Sequence, residues 1–199
     1  MSSLSVIIIT YNEESNIKAC LESVKWADEI VIVDSGSKDN TCQIAREYTN
    51  NIHITDWPGY GPQKQRALEK ANGNWVLSID ADERVSPELK QKILSTINTE
   101  QQHGYKIKRP LIFCNKLIRY ANGTNYHLCL FKRNSAQFTP DIVHESVKVN
   151  GPIGIIHEPL YHHSFSNVGD LLEKINRYST LNAEKRLKQG KKSSLFTAI

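Results

Sequence analysis

The sequence predicts an α/β fold with a mostly parallel central sheet flanked by helices and followed by a C-terminal helix. Two observations lead to this prediction. Apolar, β-branched runs alternate with amphipathic stretches over about the first hundred residues, and polar residues directly follow three of the apolar runs. Such an alternation requires right-handed crossovers between parallel strands. A single domain is expected, because 199 residues are enough for one sizeable core.

The first half of the chain contains four predicted strands, each followed by a helix signal or a turn. The first run is nearly continuous in β-branched residues, as expected of a strand covered on both faces. Asp39 or Asn40 can cap the second helix, and Pro62 can open the third. Ser86 can cap the fourth helix, with Pro87 at its first position. The predicted strands are 4–10, 29–34, 52–54 and 75–80, and the predicted helices lie around 17–24, 40–48, 62–71 and from 87 onward.

From about residue 104 the pattern changes to alternating, half-exposed strands. Residues 105–110 and 129–133 alternate in this way, and 154–161 form a further predicted strand. Five apolar residues after about Asn167 recur at helical spacing and predict a C-terminal helix that packs on the rest of the chain. These residues are Val168, Leu171, Leu172, Ile175 and Tyr178.

Charge separates the C-terminal segment from the rest. The net charge is +4, yet residues 1–167 hold 18 basic and 18 acidic residues, whereas 168–199 hold seven basic and three acidic. A nucleic-acid-binding protein would spread basic and aromatic residues over its main surface, so no nucleic-acid partner is expected. A basic tail suits an anionic membrane surface, and peripheral contact of the tail with such a surface is expected.

The remaining composition favours a cytoplasmic protein. No run of roughly 18 apolar residues is present, so no membrane-spanning helix is predicted. The four cysteines form no CxxC pair and are expected to be reduced thiols. The N-terminus lacks the features of a signal peptide. The expected location is the cytoplasm, with the inner face of the cytoplasmic membrane as the place of peripheral contact.

Three polar clusters follow predicted strands and should meet at one edge of the sheet, where ligands of such sheets bind. Asp80 and Asp82 are two positions apart, so in extended backbone both carboxylates can face one Mg²⁺ or Mn²⁺ ion. By itself this pair is equally consistent with a solvated loop. Asp34 can accept hydrogen bonds from a nucleotide or cap its own loop, and Lys64 can reach a diphosphate or remain solvated. The first cluster is Thr10, Tyr11, Asn12 and Glu13.

Three segments in this order resemble the family-2 glycosyltransferases: SVIIITYNEESNIKACLESV, EIVIVDSGSKDNT and GNWVLSIDADE. The match covers about residues 4–100, and it implies a GT-A fold and a nucleotide-diphosphate sugar as donor. Farther along, VHESV and LYHHSF are similar to bacterial lipopolysaccharide core glucosyltransferases. That similarity implies transfer of glucose from UDP-glucose to a lipopolysaccharide-core acceptor, or to another lipid-linked or saccharide acceptor.

The resemblance also implies how the nucleotide is held. Asp34 matches the acid that contacts the uracil, and Lys64 stands where the family often has an arginine near the nucleotide. Ser35 replaces a second aspartate that many members have, and Ile9 replaces the usual proline. Ser35 therefore leaves a second acidic contact to the nucleotide in doubt. The segment that holds the uridine matches Thr10, Tyr11, Asn12 and Glu13.

The same resemblance implies the metal ligands and the base. Asp82 matches the direct ligand of Mg²⁺ or Mn²⁺, and Asp80 is directed towards the ribose or the metal. Glu145 falls where the family places its catalytic base. It would take the proton of the acceptor hydroxyl as that oxygen attacks the anomeric carbon, which gives inversion. The implied domains are a catalytic domain over 1–167, with a nucleotide-binding half (about 1–100) and an acceptor half (about 101–167), and a C-terminal helix and basic tail over 168–199.

Two other classes of function remain open. A nucleotidyltransferase shares the nucleotide-binding logic but usually has a glycine-rich loop after the first strand, and no glycine follows that strand here. The presence of Asp80, Asp82 and Glu145 argues against a sugar-nucleotide-binding protein that has lost transfer activity. A histidine could supply a third metal ligand or hold the diphosphate, and a structural role is equally open. The candidates are His144, His157, His162 and His163.

Overall fold

The computed structural model describes residues 2–99, 101–114, 116–118, 126–141 and 146–165, together with Gly169, Leu172, Asn176 and Ser179. The helices within these residues are α1 (Glu14–Val24), α2 (Thr41–Ala45), α3 (Tyr60–Lys70) and α4 (Pro87–Ile97). The strands are β1 (Leu4–Thr10), β2 (Glu29–Asp34), β3 (Ile52–Ile54), β4 (Trp75–Asp80), β5 (Glu83–Val85), β6 (Gly104–Lys108), β7 (Leu111–Phe113), β8 (Lys116–Leu117), β9 (Tyr126–Lys132), β10 (Ala136–Phe138), β11 (Val147–Val149), β12 (Ile153–Ile156) and β13 (Leu160–Phe165).

A seven-stranded sheet forms the centre of the fold, in the order β12-β6-β9-β4-β1-β2-β3. β1 runs parallel to β2 and β4, β2 runs parallel to β3, and β12 runs parallel to β6. β9 runs antiparallel to both of its neighbours, β4 and β6. The predicted α/β fold with a mostly parallel sheet is confirmed, and strands from both halves of the chain share this one sheet.

Helices cover the sheet on both faces. All seven residues of β1 are buried, as expected of a strand covered on both sides. On one face, α1 and α4 contribute to a large apolar cluster that includes Trp75 and Leu77 of β4. On the other face, α3 packs against β1, β2 and β4 through Ala67 and Leu68, next to Phe138 and Val147. This arrangement leaves the carboxyl ends of the strands as the open edge.

Two smaller sheets lie beside the central one. β10 pairs with β11, and the second small sheet has the order β5-β13-β7-β8. β5 begins three residues after β4 ends, and it pairs antiparallel with β13, with His162 opposite Glu83. The second small sheet thus brings the residues of β13 close to the end of β4.

Some element boundaries differ from the prediction. The predicted strand 154–161 is two strands in different sheets, β12 and β13, separated by a segment that includes Pro159, which cannot donate a ladder hydrogen bond. α3 starts at Tyr60, so Pro62 lies in its first turn, and α2 is shorter than predicted. In the C-terminal region, the four described residues are helical, and Leu172 is 57% exposed. The other stripe residues lie outside the described part of the chain, so packing of the stripe on the body stays a prediction.

The start of α3 lies against the loop that follows β10. The Gly61 N–H donates to the Asp141 carbonyl oxygen at 3.1 Å. A Cβ atom at residue 61 would collide with the Thr139 carbonyl oxygen and lie 2.9 Å from the Asp141 carbonyl oxygen. Only a glycine fits this contact without displacement of backbone, so the contact joins α3 closely to the segment that leads towards Glu145.

Two further predictions concern the cysteines and membrane-spanning helices. Cys20, Cys42, Cys114 and Cys129 are free thiols, in agreement with the prediction. None of the helices in the described ranges is long and apolar enough to cross a membrane.

Candidate active site

The carboxyl ends of β1, β2 and β4 lie side by side, as the sequence predicts. In the parallel register, Thr10 is the partner of Asp34, and Ile9 is the partner of Asp80. β2 and β4 flank β1 on opposite sides, so the crossover direction changes at β1. A crevice for ligands forms at such a switch point in open α/β sheets. The predicted polar clusters therefore surround one crevice.

Asp34 organises the loop after β2. Its Oδ1 accepts hydrogen bonds from the backbone N–H groups of Gly36 (2.9 Å) and Ser37 (2.8 Å). Its Oδ2 accepts from the hydroxyls of Thr10 (2.9 Å) and Ser37 (2.5 Å). Burial raises the pKa of Asp34, but these hydrogen bonds outweigh that effect and lower the pKa below its usual value. Asp34 thus shapes the loop, and its contact with a uracil stays a prediction.

The segment after β1 is fixed to the same loop. Asn12 adopts a left-handed backbone (φ 54°), which asparagine tolerates better than most residues. Its backbone N–H donates to the Ser37 hydroxyl at 2.8 Å, and its side-chain oxygen accepts from the Lys38 N–H at 2.8 Å. The Glu13 N–H donates to the Thr41 hydroxyl at 2.7 Å. Tyr11 is 47% exposed, so an aromatic ring lies open at the rim of the crevice.

Asp80 lies between two cations. Lys64 Nζ from α3 is 3.0 Å from Oδ1, and Arg109 Nη2 from beyond β6 is 3.0 Å from Oδ2. Burial raises the pKa of Asp80, but Lys64 and Arg109 outweigh it and hold the pKa well below the usual range. Asp80 is therefore an anion whose charge is already balanced within the protein. Sequence reasoning placed Lys64 at this site and did not identify Arg109.

Glu83 connects Arg109 to the backbone of the acidic motif. Its Oε2 accepts the Asp80 N–H at 2.8 Å, and its Oε1 contacts Arg109 Nε in an ion pair. Glu83 is only 3% exposed. Burial and the neighbouring Asp80 carboxylate raise the pKa of Glu83 to about 8, against the opposing effect of Arg109. Asp80 and Glu83 thus form one largely buried cluster with Lys64 and Arg109.

Asp82 has a different neighbour, His162. The two side chains approach to 3.2 Å, between His162 Nε2 and Asp82 Oδ2, and both are largely buried. The pairing of β13 with β5 produces this approach, and the His163 N–H fixes it further by donating to the Asp82 carbonyl oxygen at 2.8 Å. Among the described candidate histidines, His162 is the one whose side chain pairs with Asp82. A carboxylate oxygen and an imidazole nitrogen lie together here, separate from the two cations on Asp80.

A cavity of about 200 Å³ opens beside this cluster. Its lining includes Lys64, Asp80, Arg109, Tyr126 and Ser146. Glu145, the predicted base, lies outside the described residues, as does His144. Ser146, which follows Glu145 directly in the sequence, lines the cavity.

The sequence did not identify Arg109 and Glu83, and it did not distinguish His162 from the other candidate histidines. Arg109 was part of an alternating strand pattern and carried no motif of its own. Glu83 stood next to the acidic pair, but its inward direction depends on β5, a strand that was not predicted. His162 was one of several histidines, and only its pairing with β5 distinguishes it.

Comparison with known sequences places the chain in a family. Residues 5–146 match the family described as glycosyl transferase family 2. A protein of Rickettsia typhi named as an uncharacterized glycosyltransferase is 34% identical over 210 residues, which cover 98% of this chain and 72% of the relative. The chain therefore belongs to glycosyl transferase family 2.

Two further comparisons describe its similarity more finely. The chain is 30% identical to LpsC of Rhizobium meliloti, a lipopolysaccharide core biosynthesis glycosyltransferase, over 98% of this chain and 76% of the relative. The crystal structure of S. aureus TarS 1–349 in complex with UDP-GlcNAc superposes with a TM-score of 0.58 at 20% sequence identity. That match covers 83% of this chain and 59% of the other, so this chain spans less than two thirds of the TarS structure. The GT-A-like fold is thus shared.

Proposed function

We propose that this protein is an inverting, metal-dependent glycosyltransferase that transfers a sugar, with glucose as the expected one, from a UDP-sugar. The acceptor would be a lipopolysaccharide core or another lipid-linked saccharide. Membership in glycosyl transferase family 2 supports transfer of a sugar. The similarity to LpsC over nearly the whole chain supports the choice of acceptor.

One observation carries the proposal: the two acids of the motif have separate partners at the same strand end. Asp80 is neutralised by Lys64 and Arg109, and Asp82 lies against His162. A site of this kind can bind a metal with one acid and orient a donor hydroxyl with the other. Metal binding alone would not explain the two cations on Asp80, and orientation of a donor hydroxyl alone would not explain the pairing of Asp82 with His162.

The residues present fit a divalent metal. Asp82 offers a carboxylate oxygen, the type of donor that Mg²⁺ and Mn²⁺ prefer, and His162 Nε2 lies 3.2 Å from it as a second candidate donor. Among the described residues no three side chains of His, Cys, Asp or Glu are grouped to hold a metal. Two protein ligands are nonetheless typical of ions whose remaining positions are filled by water and substrate phosphate. When bound, the ion would supply positive charge to the leaving diphosphate.

The protein's own residues would perform the other tasks. Tyr11 would contact the uracil at the open rim, and Thr10, Asn12 and Glu13 would fix the surrounding backbone. Lys64 would turn from Asp80 to the diphosphate, since a lysine is a mobile point charge. Asp80 would accept a hydrogen bond from a donor hydroxyl. Glu145 would take the proton of the acceptor hydroxyl and so direct the attack to the face opposite the diphosphate.

A donor screen tests the proposal. UDP release is measured with UDP-glucose, UDP-galactose and UDP-GlcNAc in the presence of a core-oligosaccharide acceptor and Mn²⁺. Release that depends on the acceptor, with UDP-glucose as the best donor, is the expected result. Binding of UDP without acceptor-dependent release from any donor would instead support a sugar-nucleotide-binding protein.

A further inference from the structure

Arg109 occupies an unusual position for a residue outside any recognised motif. It follows β6, two strands away from β4 in the sheet, yet its side chain reaches the end of β4. The guanidinium contacts the Asp80 carboxylate through Nη2 at 3.0 Å and the Glu83 carboxylate through Nε. Its side chain is 16% exposed. It is therefore a desolvated cation shared between two acids.

The two cations on Asp80 differ in their freedom to leave it. Lys64 carries a single ammonium on a flexible stem, and its Nζ lies 3.0 Å from Asp80 Oδ1. Arg109 is a planar cation that forms ion pairs with two acids, Asp80 and Glu83, and Glu83 in turn accepts the Asp80 N–H. A diphosphate entering the crevice will attract Lys64 more easily than Arg109. Once Lys64 turns to the diphosphate, Asp80 needs another counter-ion, because a desolvated, unpaired carboxylate is costly.

We infer that Arg109 is a positioning residue that keeps Asp80 in place and ion-paired while Lys64 is transferred from Asp80 to the donor diphosphate. Arg109 acts through its ion pairs with Asp80 and Glu83. Glu83 supports this arrangement, since it contacts the Arg109 guanidinium and accepts a hydrogen bond from the Asp80 backbone N–H. This inference rests on the proposed function, because it requires a nucleotide diphosphate in the crevice.

The inference predicts a defect that depends on the diphosphate. Without Arg109, Asp80 retains Lys64, so less positive charge is available to the ligand. UDP affinity in the presence of Mn²⁺ should fall by about tenfold in Arg109→Gln, whereas UMP affinity should change by less than about threefold. A general loss of structure would weaken both ligands alike. Removal of Lys64 should reduce UDP affinity much less in the Arg109→Gln variant than in the wild type. In that variant Lys64 stays paired with Asp80 and so contributes little to UDP binding.

Calorimetry with UDP and UMP on the full chain tests these expectations. Arg109→Gln leaves Glu83 buried without its cation and can impair folding, so Glu83→Gln/Arg109→Gln is measured beside it, since the double change removes the buried pair as a neutral unit. Arg109→Lys restores a cation near Asp80 and should recover most of the lost UDP affinity. Arg133→Gln is the matched control, because Arg133 is half-buried and donates to the Gly73 carbonyl oxygen at the opposite end of β4.

The outcomes separate this inference from the proposed function. Wild-type protein that binds no UDP with Mn²⁺ would contradict the proposed function. Wild-type binding together with unchanged UDP affinity in Glu83→Gln/Arg109→Gln would overturn the inference alone. Equal losses for UDP and UMP, or an Arg109→Lys variant as weak as Arg109→Gln at equal melting temperature, would also overturn it.

Discussion

Asp82 is the residue at which metal dependence can be tested most directly. It lies 3.2 Å from His162, and its replacement removes the charged member of the candidate metal pair. Asp82→Ala should weaken UDP binding in Mn²⁺ by about tenfold or more and leave the circular dichroism spectrum unchanged. The measurement is calorimetry of UDP binding in Mn²⁺ and in EDTA. Equal affinity of the wild type under both conditions would exclude a metal-bound nucleotide.

Glu145 is the proposed base, and an isosteric change isolates its proton-transfer role. Glu145→Gln keeps the shape and removes the basic oxygen, so donor binding should stay near normal. Transfer to the acceptor should fall on the order of 10²–10⁴-fold. The rate of transfer is measured as acceptor-dependent UDP release. UDP affinity, measured on the same variant, is the control for intact donor binding. Transfer at the wild-type rate would move the role to another acid, with Asp141 and Glu158 as the next candidates.

Asp34 should make a pH-dependent contribution to stability. Its pKa in the folded state is below the usual value of 3.8, so the unfolded chain takes up the proton first as the pH falls. The contribution is therefore complete above pH 3.8 and is lost as the pH falls through the lower, folded-state pKa. Asp34→Asn should reduce the free energy of unfolding by about 1–3 kcal/mol at pH 6 and by progressively less below pH 3.8. Urea unfolding across this range checks it; a difference independent of pH would contradict it.

At the scale of single residues, the sequence predicts which residues lie at the site better than it predicts which residues they pair with. The acids after β4 and the polar residues after β1 were located correctly, because strand ends can be read from local patterns. The partners of those acids could not be read in this way. Arg109 and His162 reach Asp80 and Asp82 from sequence positions 29 and 80 residues away, and only the assembled sheets bring them there.

At the scale of secondary-structure elements, the start of α3 packs so closely against the loop after β10 that residue 61 has no room for a side chain. Gly61 lies against the carbonyl groups of Thr139 and Asp141, which are backbone atoms and cannot rotate away. Gly61→Ala should therefore lower the free energy of unfolding by about 1–3 kcal/mol, as other overpacking changes do. Urea unfolding measures the effect. Glu69→Ala on the exposed face of the same helix is the control. An alanine variant as stable as the wild type would contradict the tight contact.

The boundaries of the elements were predictable where hydrophobic periodicity was strong. β1, β2, β3 and β4 have the predicted limits, because each is an apolar run with a turn or helix signal on both sides. β5 and the division between β12 and β13 were missed, since both depend on pairing between distant segments. β5 has only three residues, and its partner β13 lies more than seventy positions later, so no local pattern could reveal it.

For the molecule as a whole, the basic tail remains the feature for which a membrane role is predicted. Residues 168–199 contain seven basic and three acidic residues and end in an apolar stretch. Each basic residue near an anionic surface contributes roughly 1 kcal/mol, so four or five suffice for reversible binding that salt weakens. We expect the full chain to sediment with anionic liposomes at low salt, and much less with neutral liposomes or at high salt.

A shortened chain provides the control for this prediction. A chain ending at Ala183 lacks most of the tail's basic residues and should lose most of the sedimentation. Retained binding of the shortened chain, or equal recovery of the full chain under all conditions, would exclude the tail as the membrane contact. A solvated basic helix would then be the better description.

His162 lies beyond the residues that match the family. The family match ends at residue 146, but the strand that carries His162 to Asp82 begins only at Leu160. A fragment trimmed to the matched region would keep Asp82 and lose its imidazole neighbour. It would also lose β12, which closes one side of the central sheet. The smallest fragment that retains both candidate metal ligands and the whole central sheet therefore extends past the matched region to β13, and fragment design should follow strand pairing.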